Sequence, residues 1–311
     1  MSSVLAVALH PSFDSELVVR HFMPESEMRV ETAHVFPGGK AVNCARALKA
    51  LGVKVELCGI WGRQDGARAQ ALLANEGLAL HSFLVPGETR TCWSVRDIVS
   101  NKHFRLIGRG PQTSSAVLGR LLNYISRSAK TANVMIFSGS LPPGAPDDYY
   151  AGLISGARDK NVLSVLDTSA QALVAGLKAR PFLVKPNRLE AEALLGYRLS
   201  SARRIRKALT DISGYGASIV LLSLGEDGIV VFDGVRAFIA RGPRLQGVRS
   251  AGCGDAALAG FLAGFLAGEV LPDCLRLACA CGAANTAVPV AGAISCEAVH
   301  RCRRRVKVER F

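Results

Sequence analysis

The chain has 311 residues, of which 49% are hydrophobic and 20% charged, a balance that predicts a large buried core and excludes a disordered chain. The formal charge of +13 suits phosphate-bearing ligands, but no nucleic-acid-binding motif accompanies it, so we expect no nucleic acid partner. Nine cysteines without a CxxC pair indicate reduced thiols and a cytoplasmic protein. The most apolar run, Ala256–Gly268, is shorter than the roughly 20 residues that span a bilayer, and we expect no membrane association.

Short apolar runs alternate with segments of helical period along most of the chain, which predicts βαβ units and a mainly parallel sheet covered on both faces. In chain order, the predicted strands are Val4–Leu9, Val53–Ile60, Asn133–Phe137, Val162–Leu166, Phe182–Val184, Ser218–Leu222 and Ile229–Phe232. The predicted helices between and after them are Ala41–Leu51, Gln64–Glu76, Ala116–Ala129, Asp147–Lys160, Gln171–Lys178, Leu189–Leu195, Arg203–Ile212, Asp255–Ala267, Asp273–Ala287 and Glu297–Arg305.

Two regions interrupt this alternation, Glu16–Val35 and Arg90–Ile107. Both have the polar alternation of antiparallel β ribbons, and neither is large enough to close a core alone. We expect the two ribbons to pair as a small sheet that projects over one end of the main sheet and acts as a lid. The whole chain, residues 1–311, is therefore predicted to be one domain with a β lid.

The clearest local motif is Gly252-Cys253-Gly254-Asp255, which leads into an apolar helix. The glycines allow a tight turn, and the N-terminus of a helix with exposed N–H groups is an anion-binding site. An aspartate here can also be an ordinary cap that stabilises the helix by about 1 kcal/mol. The motif alone leaves both interpretations open.

A second glycine motif, Pro37-Gly38-Gly39-Lys40, also runs into a helix. Its glycines expose backbone to a ligand, Lys40 supplies a cation, and Asn43 can donate to and accept from sugar hydroxyls. The alternative is a strand-to-helix turn with a surface lysine. The motif is not a P-loop, because the GxxxxGK[ST] pattern is absent.

Two further segments follow apolar strands. Asn187 and Glu190 lie three residues apart at a helix start, where they can order a hydrated Mg²⁺ or simply cap the helix. The run from Ser223 to Gly228 enters a glycine turn that suits nucleotide phosphates or a hairpin.

Taken together, the motifs resemble those of the PfkB (ribokinase-like) carbohydrate kinase family, and most closely its 1-phosphofructokinase and tagatose-6-phosphate kinase branch. They occur in the family's order over nearly the whole chain: HPSFD at 10–14, GGKAVNCARALKALG at 38–52, SGSLPPG at 138–144, LDTS at 166–169, KPNRLE at 185–190, LSLGEDG at 222–228 and GCGD at 252–255. The resemblance implies a ribokinase-like three-layer α/β/α fold, with a mainly parallel central sheet and a small β-sheet lid.

The resemblance also implies roles. Asp255 would be the general base, and the amides of Gly252, Cys253 and Gly254 would bind the transferring phosphoryl group. The substrate would contact Asp14, Gly38, Gly39, Lys40, Asn43, Arg90 and Ser138, the last two at its phosphate end. ATP would lie near Lys185, Asn187, Glu190, Ser223, Gly225 and Gly228, with Mg²⁺ held through water by Asn187 and Glu190. A homodimer through the lid is a further expectation.

The lid departs from the branch pattern. The lysine of the branch's N-V-K segment is replaced by Ser94, and Arg96, two residues further on, is a candidate substitute. The segment from His103 to Pro111 replaces the usual TEINxxGP and adds Arg105 and Arg109, candidates for a phosphate clamp. The expected substrate is a ketohexose phosphate. Two alternatives stay open, a kinase of an unphosphorylated sugar or nucleoside, and a catalytically silent regulatory protein on the same fold.

Overall fold

The computed structural model describes residues 3–243 and 251–311. Within these ranges the strands are β1 (Ser3–Ala8), β2 (Ser12–Val19), β3 (Val30–Gly38), β4 (Lys54–Gly62), β5 (Leu80–Val85), β6 (Thr91–Asp97), β7 (His103–Ile107), β8 (Val134–Ser138), β9 (Leu163–Asp167), β10 (Leu183–Val184), β11 (Ile219–Ser223), β12 (Ile229–Phe232), β13 (Ala237–Arg241) and β14 (Lys307–Arg310). The helices are α1 (Lys40–Ala50), α2 (Gly66–Asn75), α3 (Ser115–Ser128), α4 (Tyr149–Arg158), α5 (Ala170–Lys178), α6 (Arg188–Leu195), α7 (Ala202–Gly214), α8 (Cys253–Leu266), α9 (Leu271–Asn285) and α10 (Cys296–Arg303).

The main sheet has ten strands in the order β14-β13-β12-β11-β10-β9-β8-β1-β4-β5. Its strands are parallel from β5 to β11, and β12, β13 and β14 extend it antiparallel. The predicted α/β fold with a mainly parallel sheet is confirmed. Among the described residues, no helix is both long and apolar enough to cross a membrane.

The apolar core lies on both faces of the main sheet. Alternate side chains of a strand point to opposite faces, and β1 shows this directly. Leu5 and Val7 belong to one buried cluster, whereas Val4 and Ala6 belong to the clusters on the other side. Burial on both faces explains why the strands read in the sequence as continuous apolar runs rather than as alternating ones.

The sequence interpretation missed three strands. β5 contains His81 and Ser82, which interrupt its apolar run, and β13 follows a short turn after β12. The C-terminal run was predicted to be helical to Arg305, but α10 ends at Arg303 and β14, the edge strand of the sheet, begins at Lys307. Four mostly charged residues give no strand signal, and only pairing with β13 makes them one.

A small four-stranded sheet has the order β3-β2-β6-β7. The hairpins β2–β3 and β6–β7 are antiparallel, and they are joined by a parallel pair between β2 and β6. The sheet starts at Ser12 and continues to Gly38, beyond both ends of the first predicted ribbon. It therefore runs directly into the glycine turn at the start of α1. That the sheet acts as a lid stays a prediction.

Candidate active site

Polar residues follow the buried strands at one edge of the main sheet. Ser138 and Asp167 are the last residues of β8 and β9, and Lys185 directly follows β10. These three strands are neighbours and parallel, so their carboxyl ends bring the three side chains together. Ligands of open α/β sheets bind at this edge.

Asp167 is the centre of a buried ion cluster. Its carboxylate accepts hydrogen bonds from Lys40 Nζ at 3.0 Å and forms an ion pair with Lys185 Nζ at 3.3 Å. Lys40 also reaches Glu190 Oε1 at 3.3 Å. The Ser138 hydroxyl donates to Asp167 Oδ2 at 3.4 Å. Asp167 is 0% exposed and Lys185 is 4% exposed, so both charges depend on these partners.

The charges within the cluster determine its protonation. Burial opposes ionisation of Asp167, but the two lysines outweigh it and hold the pKa of the carboxyl below its ordinary value. Burial likewise acts to lower the pKa of Lys40, but Asp167 and Glu190 raise it well above its ordinary value. Asp167 and Lys40 are therefore both charged at neutral pH.

Asp255 lies in the first turn of α8 and is 6% exposed. Its carboxylate makes no capping bond in this helix among the described residues, and Asn43 Nδ2 instead donates to Asp255 Oδ2 at 2.9 Å. Burial and the charge of Asp167 raise the pKa of Asp255 to about 6, although Lys185, Lys40 and the Asn43 hydrogen bond act in the other direction. The carboxylate is thus ionised at neutral pH, but its basicity is above the ordinary value.

The start of α8 has the properties of an anion site. Gly252 adopts a left-handed conformation with φ of 78°, which turns the chain into the helix. A Cβ at Gly254 would lie 3.2 Å from Lys185 Nζ, so the backbone here directly faces the buried lysine. The first-turn amides of a helix have no intrahelical acceptor and bind anions.

The predicted sugar residues meet where the two sheets join. Ser12 Oγ donates to Asp14 Oδ1 at 2.6 Å. A Cβ at Gly38 would overlap the Asp14 carboxylate, and Gly39 has a φ of 101°. Gly38 therefore lets Asp14 lie against the start of α1, and Gly39 supplies the positive φ of the turn that leads to Lys40.

Arg90 and Ser138, the two residues expected at the phosphate end of the substrate, have separate hydrogen-bond partners in this structure. Arg90 Nη2 donates to the carbonyl of His10 at 2.7 Å and its Nε to the carbonyl of Pro11 at 3.2 Å. Ser138 is buried beneath the ion cluster. Arg90 thus supports the turn before β2 and keeps Nη1 without an acceptor among the described residues.

The predicted nucleotide residues lie at the ends of β10 and β11. Asn187 and Glu190 form a capping box at the start of α6, the simpler of the two sequence interpretations, and Asn187 also bridges to Ser223. The turn from Gly225 to Gly228 joins antiparallel strands, so it is a hairpin. A Cβ at Gly228 would overlap the carbonyl of Ala240, whereas one at Gly225 would meet nothing within 4 Å. Gly228 is thus required by the fold.

Mg²⁺ fits this site only as a hydrated ion. Among the residues described, no three His, Cys, Asp or Glu side chains form a group that could hold a metal. The Glu190 carboxylate is engaged by the Asn187 amide and by Lys40, but it is partly exposed. This donor set suits an ion that keeps its waters and is bound mainly by substrate phosphates.

Three functional candidates were missed by the sequence interpretation. Asp167 belongs to the LDTS motif at 166–169, but the sequence indicated no role for it. His10 binds Ser140 Oγ through Nδ1 at 3.0 Å and donates from Nε2 to the Arg109 carbonyl at 3.1 Å. Burial, then the Arg90 charge, lowers the pKa of His10 to about 4, so the ring is neutral. Its neighbours are far apart in sequence, and no local pattern indicates them.

The third missed residue is Arg46 on α1. It contacts both Glu76 oxygens, at 2.5 and 3.0 Å, and donates to the Ala291 carbonyl at 2.7 Å. Its Nη1 also lies 3.4 Å from Asn43 Oδ1. This buried network fixes the helix that presents Asn43 to Asp255.

The fold and the comparison with known proteins define the chain as a carbohydrate kinase. It belongs to the pfkB family of carbohydrate kinases, whose family model matches residues 6–297. The chain is 32% identical to a 1-phosphofructokinase of Rhodobacter capsulatus, covering 89% of this chain and 88% of the relative. It is 30% identical to a D-tagatose-1-phosphate kinase of Bacillus licheniformis, covering 90% and 91%.

A solved structure of Escherichia coli phosphofructokinase-2 in complex with substrates and products is similar throughout. The TM-score is 0.91 at 26% identity, over 98% of this chain and 99% of that one. The family resemblance and the enzyme class expected from the motifs are confirmed. The family implies ATP as the phosphate donor.

Proposed function

We propose that the chain transfers the γ-phosphoryl group of ATP to a hydroxyl of a ketohexose phosphate, such as fructose 1-phosphate or tagatose 6-phosphate, with Asp255 as the general base. The observation that carries this proposal is the position of Asp255. It is a buried carboxylate of raised pKa, oriented by Asn43 and placed at a helix N-terminus. The relatives named as kinases of ketohexose 1-phosphates support the substrate class.

In this mechanism, Asp14 accepts hydrogen bonds from sugar hydroxyls and fixes the acceptor above Gly38 and Gly39. Asp255 takes the proton of the acceptor hydroxyl while the hydroxyl oxygen bonds to the γ-phosphorus. The bond from the γ-phosphorus to the bridging oxygen of ADP breaks in the same step, and ADP leaves. A carboxylate with a pKa of about 6 is a stronger base than an ordinary aspartate and is still ionised at neutral pH.

The amides of Gly252, Cys253 and Gly254 donate to the oxygens of the transferring group, and the Lys185 charge adds to this field from below. Asn187 and Glu190 would order the waters of an Mg²⁺ ion bound with ATP, and that ion would supply positive charge to the phosphates. Ser223 and Gly225 border the nucleotide, and the small sheet closes over the sugar to exclude water.

A kinase of an unphosphorylated sugar or nucleoside is the second candidate. It is favoured by Ser94, which lacks the positive charge that the resemblance predicts at this position. A catalytically silent protein is disfavoured, because Asp255 and the KPNRLE segment at 185–190 are both retained, and a degenerate kinase is expected to lose one of them.

We also propose that two copies associate through the small sheet. Val35, Ser15, Trp93 and Leu106 form one row across its four strands, on the face opposite Asp14. Ser15 is buried, but Val35, Trp93 and Leu106 are 42%, 38% and 62% exposed, so these three side chains present an apolar surface. Sedimentation of the wild type and of Trp93→Ser with Leu106→Ser tests this association, and a wild type that sediments as a monomer at micromolar concentration contradicts it.

The test of the catalytic proposal is ATP consumption with Mg²⁺ against a panel of ketohexose phosphates and the matching free sugars. Turnover of the phosphates alone supports the first candidate, and turnover of free sugars or nucleosides alone supports the second. An Asp255→Asn variant that turns over as fast as the wild type excludes Asp255 as the general base.

A further inference from the structure

The small sheet carries an arginine on the same face as Asp14. Asp14 pairs with Cys92, and Cys92 pairs with Ile107. Paired residues share a face, and so do residues two apart along a strand. Arg105, two residues before Ile107, therefore shares the face of Asp14, where it pairs directly with Ser94.

Arg105 is the cation in this row that lacks a counterion. Its side chain is exposed and makes no hydrogen bond or ion pair with any residue in the described part of the chain. The same row contains Glu16 on β2, with the short side chain of Ser94 between the two. An arginine in this setting has its whole planar fork free for an anion.

Arg105 also lies near the other arginine of the site. Burial is the main cause that lowers the pKa of Arg90, and the charge of Arg105 contributes in the same direction, against the opposing effects of Cys92 and Asp14. The two guanidinium groups are thus close enough for their charges to interact. Arg90 donates from two of its nitrogens to backbone carbonyls, so it can supply only part of a phosphate-binding site.

Arg96 is less well placed for this role. Along β6, the Ser94 row lies about 7 Å from the Cys92 row, whereas the Arg96 row lies about 13 Å away. Arg96 Nε is moreover buried without a hydrogen-bond partner among the described residues, so this nitrogen is not accessible to a ligand.

We propose that Arg105 binds the phosphate group of the sugar phosphate substrate together with Arg90, and that it supplies from β7 the positive charge that Ser94 does not supply from β6. This inference rests on the proposed function and deepens it. It makes Arg105 the residue that separates phosphorylated from unphosphorylated sugars.

The experiment compares four variants with the wild type in steady-state assays with fructose 1-phosphate, tagatose 6-phosphate and the free ketohexoses. Arg105→Ala should lower kcat/KM for the accepted sugar phosphate about 10- to 100-fold, the range for loss of a charge-assisted bond, with the KM for ATP unchanged. Arg105→Lys should retain most of the activity. Lys102→Ala removes an exposed charge from the β6–β7 turn and should have no effect.

The fourth variant combines Ser94→Lys with Arg105→Ala and moves the charge across the strand pair. It should recover most of the loss. Failure to recover any of it would mean that Arg105 acts through the packing of β7, and would overturn the proposal. Calorimetric titration of the sugar phosphate without ATP should show the same order of affinities.

The outcomes distinguish failure of the Arg105 proposal from failure of the proposed substrate class. If the wild type turns over a ketohexose phosphate and Arg105→Ala behaves like Lys102→Ala, only this inference is refuted. If the wild type turns over free sugars alone, the proposed substrate class fails and the inference fails with it.

Discussion

Replacing Asp255 by asparagine should inactivate the enzyme and at the same time stabilise its fold. In the folded protein, burial and the charge of Asp167 raise the pKa of Asp255 from 3.8 to about 6. The ionised carboxylate is therefore less stable in the folded state than in the unfolded state. This cost is absent below pH 3.8, grows between the two pKa values and is complete above about pH 6, where it reaches about 3 kcal/mol.

The variant removes this cost and keeps the local structure, because the new amide oxygen can still accept the Asn43 hydrogen bond. Denaturant unfolding should therefore show a gain of about 3 kcal/mol at pH 8 and only about 1 kcal/mol at pH 4.5. The kcat should fall about 10²- to 10⁴-fold, the range for loss of a general base.

The matched control is Asp273→Asn, which changes a half-exposed carboxylate in the first turn of α9. It should show neither the gain in stability nor the loss of kcat. An Asp255→Asn variant that is no more stable than the wild type at pH 8 would refute the account of its burial and charge. One that remains active would refute its role as the base.

Three further changes test the surrounding site. Lys40→Met removes a charge that lowers the pKa of Asp255, so the acid limb of the pH–rate profile should move to higher pH. Asp167→Asn leaves Lys185 buried without a carboxylate partner among the described residues, and unfolding should become easier by about 3–5 kcal/mol, measured by denaturant titration. Gly38→Ala displaces the sugar-side carboxylate, so the KM for the sugar should rise at least about tenfold with the KM for ATP unchanged, measured by steady-state kinetics.

Each of these changes has a control or a contradicting result. Gly119→Ala on α3 introduces a Cβ into open space and should leave both KM values unchanged. An unchanged pH profile in Lys40→Met would mean that its charge does not act on Asp255. Wild-type stability in Asp167→Asn would mean that water or another group satisfies Lys185.

The sequence predicted the architecture well because parallel strands buried on both faces leave long apolar runs. It also located the turns before α1, α6 and α8, since glycines and capping residues act locally. It gave Asp167 no role in the site. The two lysines that pair with this carboxylate lie 127 and 18 residues away, and only the strand order brings them together.

The sequence also could not predict the edge strand β14 or which residues share a face of the small sheet. β14 is a strand because β13 offers it a partner. The sequence alone named Arg96 as a substitute for the missing lysine and Arg105 and Arg109 as candidates for a phosphate clamp. Only the register of β6 and β7 places Arg105 directly beside Ser94.

The ion cluster carries its own charge balance. With Asp255 ionised, three carboxylates face two lysines: Asp167, Glu190 and Asp255 against Lys40 and Lys185. The cluster then carries a net charge of −1. In the proposed reaction Asp255 takes up the substrate proton, so these five side chains sum to zero charge while the enzyme holds the phosphorylated product. Release of that proton to solvent ionises Asp255 again. Each turnover therefore stores and releases one proton as well as transferring one phosphoryl group.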